Sequence, residues 1–137
     1  MDDHGIEYRV LPLRLEASPE PIPVHGAFTY RRDRPYELAL DFRGSGVQLA
    51  HWVFSRDLLL DGETRGTGEG DIRVWPQWRG REPRVLLAFS NGVQSCVVSA
   101  RARDVRALCR RLVDLVPRGE EQRHYDLDAE LSTLLPR

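Results

Sequence analysis

The chain has 137 residues, of which 41% are hydrophobic and 30% charged, and its formal net charge is −1. This length and composition predict one globular domain over residues 1–137 with a core of its own. The near-neutral balance argues against capture of nucleic acid by charge alone, which usually needs a strongly basic domain. The start is acidic and has no secretory signal, which predicts a cytoplasmic protein. Since no apolar run approaches the roughly 20 residues that cross a bilayer, we expect membrane contact only through a partner.

The first half of the chain predicts four strands, over residues 6–15, 24–30, 36–43 and 47–54. In the first, the apolar positions shift phase after Val10, which predicts a bulge or bend near Pro12. The fourth ends with apolar residues on both faces, because Trp52 and Phe54 alternate with Val53. A strand that is apolar on both faces lies in a core or an interface.

The middle of the chain predicts a short helix, a connector and a strand. Ser55 suits the N-cap of the helix and Gly62 the position that follows its end. Glycine-rich residues 66–70 predict a flexible connector rather than a phosphate-binding loop, because they lead into a strand at 71–75 and not into a helix. The loop at 77–83 follows.

The last third of the chain predicts a hairpin and two helices. Strands from Val85 and over 93–98 flank Asn91-Gly92, a dipeptide typical of two-residue hairpin turns. A helical stripe of apolar residues from Val105 to Val116 ends at Pro117, and a second helix is expected from about Asp126. Strands followed by helices indicate the α+β class.

No motif indicates an enzyme, a cofactor or a metal. The four histidines are not spaced as metal ligands, and the two cysteines, Cys96 and Cys109, are expected to be free buried thiols. No Gly-x-Ser-x-Gly elbow is present. The paired carboxylates have exposed surroundings, so little tuning of a pKa is expected.

Tryptophan and arginine are the residue types enriched at protein-binding hot spots, and both occur in the middle of the chain. Trp78, Arg79 and Arg81 predict a partner surface, although Trp78 packed on its own sheet is the alternative. Arg56 and Asp57 predict either a latch against a neighbouring molecule or an ion pair or cap of the short helix. Trp52 and Phe54 are expected at a contact between subunits.

Several blocks of residues, with the spacing between them, resemble the SsgA-like sporulation and cell-division proteins of actinomycetes. These blocks are Trp52-Val53-Phe54, Arg56-Asp57-Leu58-Leu59, Gly68, Gly70-Asp71, Arg73-Val74-Trp75-Pro76, Val116 to Glu120 and His124 to Leu131.

The resemblance implies a non-enzymatic protein at the division septum that recruits or positions FtsZ or other division proteins. An adaptor for septal peptidoglycan remodelling is the variant of this function, and SsgA-like paralogues are further possible partners. The implied fold has antiparallel sheets of about seven strands in all, with helices on one side. It is similar to the Whirly and guide-RNA-binding proteins, and the implied assembly is a bell-shaped homotrimer.

Single-stranded nucleic-acid binding is the alternative function. It rests on the implied fold and on arginines at 31–34 and 79–84, with bases stacked on Trp78 or Tyr30. The net charge of −1 and the acidic C-terminal helix argue against it.

Overall fold

A computed structural model describes residues 5–16, 19–44, 47–78, 80–90, 92–93 and 95–125, with backbone alone considered at 47–49 and 69. Its elements in chain order are β1 (Ile6–Leu15), β2 (Ile22–Arg31), β3 (Glu37–Gly44), β4 (Val47–Ser55), α1 (Arg56–Arg65), β5 (Thr67–Glu69), β6 (Ile72–Gln77), β7 (Arg84–Ser90), β8 (Ser95–Arg101), α2 (Ala102–Leu115) and a 3₁₀ turn (Glu121–Arg123).

All eight strands belong to one antiparallel sheet with the order β4-β3-β2-β1-β8-β7-β6-β5. Two meanders, β1–β4 and β5–β8, join where Leu13 to Leu15 pair with Ala100 to Val98. The sheet curls so that distant strands meet across its interior. The Phe89 ring on β7 lies 5.6 Å from the ring of Phe42 and 5.7 Å from that of Phe54. The α+β class is confirmed, whereas the expected pair of sheets is wrong: the curl lets one sheet enclose the core.

The glycine-rich stretch predicted as a flexible connector contains β5, the extra strand relative to the expected seven. Thr67, Gly68 and Glu69 pair with Val74, Arg73 and Ile72 of β6. The Thr67 hydroxyl also donates a hydrogen bond of 2.9 Å to the carbonyl oxygen of Leu58 in α1. These contacts fix the edge of the sheet to the helix.

The bulge predicted near Pro12 is wrong, because β1 pairs with β2 without interruption from Ile6 to Leu15. Leu11 and Leu13 point into the core, while Tyr8 and Val10 lie on the outer face and are 60% and 47% exposed. The change of phase in the sequence therefore marks a strand that is apolar on both faces. The register shift lies instead between Phe42 and Arg43, where β3 pairs with β4.

The two helices pack on the inner face of the sheet. The stripe predicted for α2 is confirmed, with Val105, Leu108 and Leu112 at most 1% exposed. Helix α1 runs one turn beyond Gly62 and ends at Gly66, whose φ is +77°. Gly62 therefore lies inside the helix, and its lack of a side chain allows α1 to approach β6, because a Cβ there would come within 2.9 Å of the Val74 carbonyl oxygen. A side chain at position 62 would force α1 away from β6.

The turn between β7 and β8 is longer than predicted. Ser90 pairs with Ser95, so four residues connect the strands instead of the two at Asn91-Gly92. The helix predicted from Asp126 lies outside the described residues.

Candidate protein-contact surfaces

Arg56, predicted as a surface latch or a cap, is buried in the core and is 1% exposed. As the first residue of α1, it aims its guanidinium at the end of α2. Nη1 donates hydrogen bonds to the carbonyl oxygens of Leu112 (3.1 Å) and Val116 (2.7 Å). A cation at the C-terminus of a helix satisfies orphan carbonyls and the helix dipole. The surface-latch interpretation is therefore wrong, and Arg56 is a cap, although of α2 rather than of its own helix.

Glu121 and Tyr30 complete the surroundings of this buried cation. Arg56 Nη2 lies 3.2 Å from Glu121 Oε2, and its guanidinium carbon lies 5.3 Å from the centre of the Tyr30 ring. The pKa of Glu121 is lowered, chiefly by backbone hydrogen bonds to its carboxylate, with Arg56 adding to the effect. Burial raises the pKa of Tyr30 to about 12. The cluster holds α1, α2 and β2 together by charge as well as by packing.

Phe54 and Trp52, predicted at a subunit contact, face the interior of the curled sheet. Phe54 is 5% exposed, and Trp52 stacks on Phe89 at 4.9 Å between ring centres. Trp52 also lines a cavity of about 500 Å³ at one end of the sheet, together with apolar residues and Cys96. Burial of Phe54 within its own chain removes it as a contact residue, because no surface is left for a partner to reach.

The remaining predicted contact residues differ in exposure. Trp78 follows β6 and is 60% exposed, so it does not fold against its own sheet. Arg81 is also exposed, in the loop after Trp78, and Arg79 lies outside the described residues. Asp57 is exposed on α1, where Arg118 lies 3.6 Å from its carboxylate. Trp78, Arg81 and Asp57 are accessible to a partner.

An apolar strip on the outer face of the β1–β4 meander was missed from the sequence. Tyr8, Thr29, Ala39 and Val53 are cross-strand partners in one row, and Val53 is 50% exposed. This row crosses four strands, and Val10 lies beside Tyr8 in the next row of the same face. The second apolar phase of β1 is the signal in the sequence that indicates this strip, rather than the bulge that it predicts near Pro12. We call Tyr8, Val10 and Val53 the outer strip.

Many of the charged side chains of the described residues form ion pairs on the surface. No group of three or more His, Cys, Asp or Glu within this part of the chain is placed to hold a metal ion. His51 Nδ1 lies 2.6 Å from Asp41 Oδ1 on the exposed outer face. Cys96 and Cys109 are free, as predicted, but only Cys109 is buried, since Cys96 is half-buried; burial raises the pKa of both thiols. No helix in the described ranges combines the length and the apolar character needed to cross a bilayer.

Comparison with known proteins assigns a family. A family model described as Streptomyces sporulation and cell division protein, SsgA, matches residues 24–121. The sporulation-specific cell division protein SsgB of Streptomyces coelicolor is 39% identical over 126 residues, which cover 91% of this chain and 92% of that protein. The SsgB protein of Kineococcus radiotolerans is 40% identical over 127 residues, covering 90% of this chain and 76% of the relative.

Solved structures of relatives have the same fold. The crystal structure of an SsgA-like sporulation-specific cell division protein from Thermobifida fusca aligns with a TM-score of 0.83 at 32% identity, covering 98% of this chain and all (100%) of that one. A structure of SsgB from Streptomyces coelicolor aligns with a TM-score of 0.80 at 34% identity, covering 88% and 95% of the two chains. The chain therefore belongs to the SsgA family of sporulation and cell-division proteins.

Proposed function

We propose that this chain is a non-enzymatic adaptor of sporulation-specific cell division that positions FtsZ at the division septum through protein–protein contacts. The observation that carries the proposal is the match, over nearly the whole length of both chains, to proteins named for sporulation-specific cell division. The described surfaces fit this role, because they offer exposed apolar and aromatic side chains at separate places. An adaptor needs at least two such contacts, one for its own assembly and one for its client.

The proposed assembly is a homotrimer, with the outer strip as its self-contact. Three exposed apolar side chains on one sheet face, Tyr8, Val10 and Val53, lose water contact when a second copy covers them. In a three-fold ring the outer strip of each copy contacts a different patch of the next copy, because only a contact between unlike patches closes into a trimer. Light scattering after size exclusion checks this: the parent chain should elute as a trimer and Val53→Glu as a monomer. The matched control, Arg43→Glu on the same face, should stay trimeric.

Trp78, Arg81 and Asp57 are proposed as contacts with a client, since they are exposed and none belongs to the outer strip. Substitution of Trp78 by Ala should weaken client binding while leaving the trimer intact. Loss of the trimer in Trp78→Ala would instead assign this residue to self-assembly. The fold similarity to the Whirly proteins also stays a prediction, which superposition on a Whirly structure checks.

In cells, the adaptor function predicts that loss of this protein disturbs the placement of FtsZ and of the septa. In a deletion strain of the source organism that carries fluorescent FtsZ, FtsZ should be misplaced or absent at the sites of sporulation septa, and the parent gene should restore its placement. Correct placement of FtsZ and of septa in the deletion strain, with normal spore walls, would contradict the FtsZ function. Correct placement with defective spore walls would favour the variant function in septal peptidoglycan remodelling.

Single-stranded nucleic-acid binding is the second candidate, favoured by one feature of β6. The guanidinium carbon of Arg73 lies 5.3 Å from the centre of the Trp75 ring, and the exposed Trp78 lies just after the end of this strand. Aromatic rings beside arginines are the elements that stack bases and follow a phosphate backbone. Salt-dependent binding of a thymidine oligonucleotide, lost in Trp78→Ala, would establish this function, and no binding at low salt would exclude it.

A further inference from the structure

The solvent face of α2 carries three arginines without a partner among the described residues. Arg103, Arg106 and Arg110 are exposed, and no side-chain hydrogen bond or ion pair joins them to the described part of the chain. At 100° per residue, positions 103, 106 and 110 fall within roughly 60° of arc on the helix. They form a continuous cationic stripe, which we call the arginine stripe.

Neighbouring arginines differ from the stripe in being neutralised. Arg118 lies 2.8 Å from Asp61, and Arg101 lies 3.0 Å from Glu82. Arg111, on the other side of α2, reaches Glu7 at 3.4 Å. In a chain of net charge −1, three adjacent arginines left over from this pairing concentrate positive charge at one place. The stripe therefore offers its charge to a ligand rather than to the fold.

A groove of about 440 Å³ runs beside the stripe, between α1 and α2. Its floor is apolar, with Leu60, Cys109 and Val113, and its rim carries Arg106 and Arg110. Glu63 and Asp114 also line it, so the groove is not uniformly basic. An apolar floor between two helices with charged edges is the shape that takes an amphipathic peptide segment.

Glu63 adds an independent sign that the groove accepts a ligand. Its Oε2 atom is buried and accepts no hydrogen bond that meets ordinary geometry within the described residues, although the same carboxylate lies beside the Cys109 thiol and adds to the rise in its pKa. A buried acceptor without a donor costs free energy, and a free backbone N–H in the first turn of a bound helical peptide would supply the missing donor.

We propose that the groove between α1 and α2 binds an acidic peptide segment of a partner protein. The apolar side chains of the peptide contact Leu60 and Val113, and its carboxylates pair with the arginine stripe. The inference rests on the proposed adaptor function, for which it names the chemistry of the client. The carboxylates pair with Arg106 and Arg110, and Arg103 extends the contact by one turn of the helix. Association is faster at low salt, because the stripe attracts the acidic segment before the apolar contacts form.

The test uses a fluorescein-labelled synthetic peptide of about 14 residues, with Glu and Asp on one helical face and Leu on the other. Fluorescence anisotropy with the full chain should show saturable binding that weakens as NaCl is added, since salt screens exposed charges. The double variant Arg106→Gln/Arg110→Gln should bind about tenfold more weakly, as expected for the loss of two exposed ion pairs. The matched control Arg14→Gln/Arg43→Gln removes two exposed arginines of the sheet and should bind like the parent.

Several results would overturn the proposal. Equal binding by both double variants would place the peptide elsewhere on the chain. Failure of the peptide to bind, with arginine-dependent binding of phosphatidylglycerol vesicles or of a thymidine oligonucleotide, would assign the stripe to a membrane or to nucleic acid. Peptide binding that requires removal of residues 126–137 would show that the chain's own end occupies the groove. Thermal unfolding of each variant, expected within about 2 °C of the parent, excludes misfolding as the cause.

The two proposals fail separately. Peptide binding through the stripe without any effect on FtsZ leaves the groove in place and removes FtsZ as the client. An effect on FtsZ that Arg106→Gln/Arg110→Gln does not alter leaves the adaptor function in place and removes the groove from it.

Discussion

Replacement of Arg56 by Met is expected to destabilise the fold strongly. The substitution removes the donor of two hydrogen bonds, at 3.1 and 2.7 Å, to the carbonyls of Leu112 and Val116, and leaves Glu121 without its buried cation. Removing one partner from a buried ionic cluster costs on the order of 3–5 kcal/mol. Two gains offset part of this: the apolar Met packs in the same space, and the unpartnered Nε of Arg56 is lost. We expect a net loss of about 3 kcal/mol in the free energy of unfolding.

Urea denaturation followed by tryptophan fluorescence measures this loss. For a slope of about 2 kcal/mol per molar urea, the midpoint should fall by about 1.5 M. The matched control is Arg110→Met, an exposed arginine of α2, which should change the free energy of unfolding by less than about 0.5 kcal/mol. A loss below about 1 kcal/mol for Arg56→Met would refute the view that this cation holds the end of α2.

A double-mutant cycle isolates the ion pair. Arg56→Met and Glu121→Gln together should cost about 1–3 kcal/mol less than the sum of the single variants, because each single variant already removes the pair. Glu121 also accepts a 2.8 Å hydrogen bond from the backbone N–H of Gly119, so Glu121→Gln should retain part of its role. Additive losses would mean that the 3.2 Å contact between Arg56 and Glu121 contributes nothing to stability.

Three further predictions concern other buried groups. The folded pKa of Tyr30, about 12, exceeds the unfolded value of about 10, so its contribution to stability is complete below pH 10 and is lost as the pH rises through 12. Tyr30→Phe should therefore lose less of its free energy of unfolding than the parent chain does when the pH is raised from neutral to about 12. An equal loss in the two chains would contradict the raised pKa of Tyr30. Gly62→Ala should lower the free energy of unfolding by about 1–3 kcal/mol, because the added Cβ meets Val74, although Ala normally favours a helix. Urea denaturation measures this loss, with Thr64→Ala on the exposed side of α1 as the control. Cys96, half-buried beside the cavity, should react with a thiol reagent at least about tenfold faster than Cys109, and equal rates would contradict the packing of α2.

The elements predicted correctly are those with long, regular patterns. Helix α2 has an apolar stripe with a period of 3.6 residues that Pro117 ends, and β3 has Leu38, Leu40 and Phe42 on one face and mostly polar residues on the other. Periodicity of this kind reports a burial pattern that any compact fold must satisfy. The function class was predicted from the residue blocks around Trp52 and Trp75 that resemble the family, because hydrophobic periodicity indicates structure and not function.

The features missed depend on contacts between distant parts of the chain. β5 is three residues long and contains Gly68, so its strand character comes from β6 and from the bond between Thr67 and Leu58 rather than from propensity. Gly62 has the local signature of a helix end, but it lies inside α1, where the close approach of Val74 leaves no room for a side chain. Tertiary packing overrode the local signal in both places.

Arg56 shows why the candidate site was predicted only in part. A charged residue at the start of a helix normally lies at the surface, and the sequence nearby names no buried partner. Its partners lie 56, 60 and 65 positions away, at the end of α2 and just beyond it. Trp78 and Arg81 are exposed as predicted, because they lie in a polar loop whose burial requires no distant contact.

Co-sedimentation with FtsZ polymers tests most directly whether the molecule acts by holding another protein. Purified chain and purified FtsZ from the same organism are mixed with GTP and centrifuged, with Trp78→Ala and Arg106→Gln/Arg110→Gln measured in parallel. We predict that the parent chain pellets with the polymers in a saturable manner and that at least one of the variants pellets less. A parent chain that stays in the supernatant and leaves the amount of polymer unchanged would contradict the proposed function.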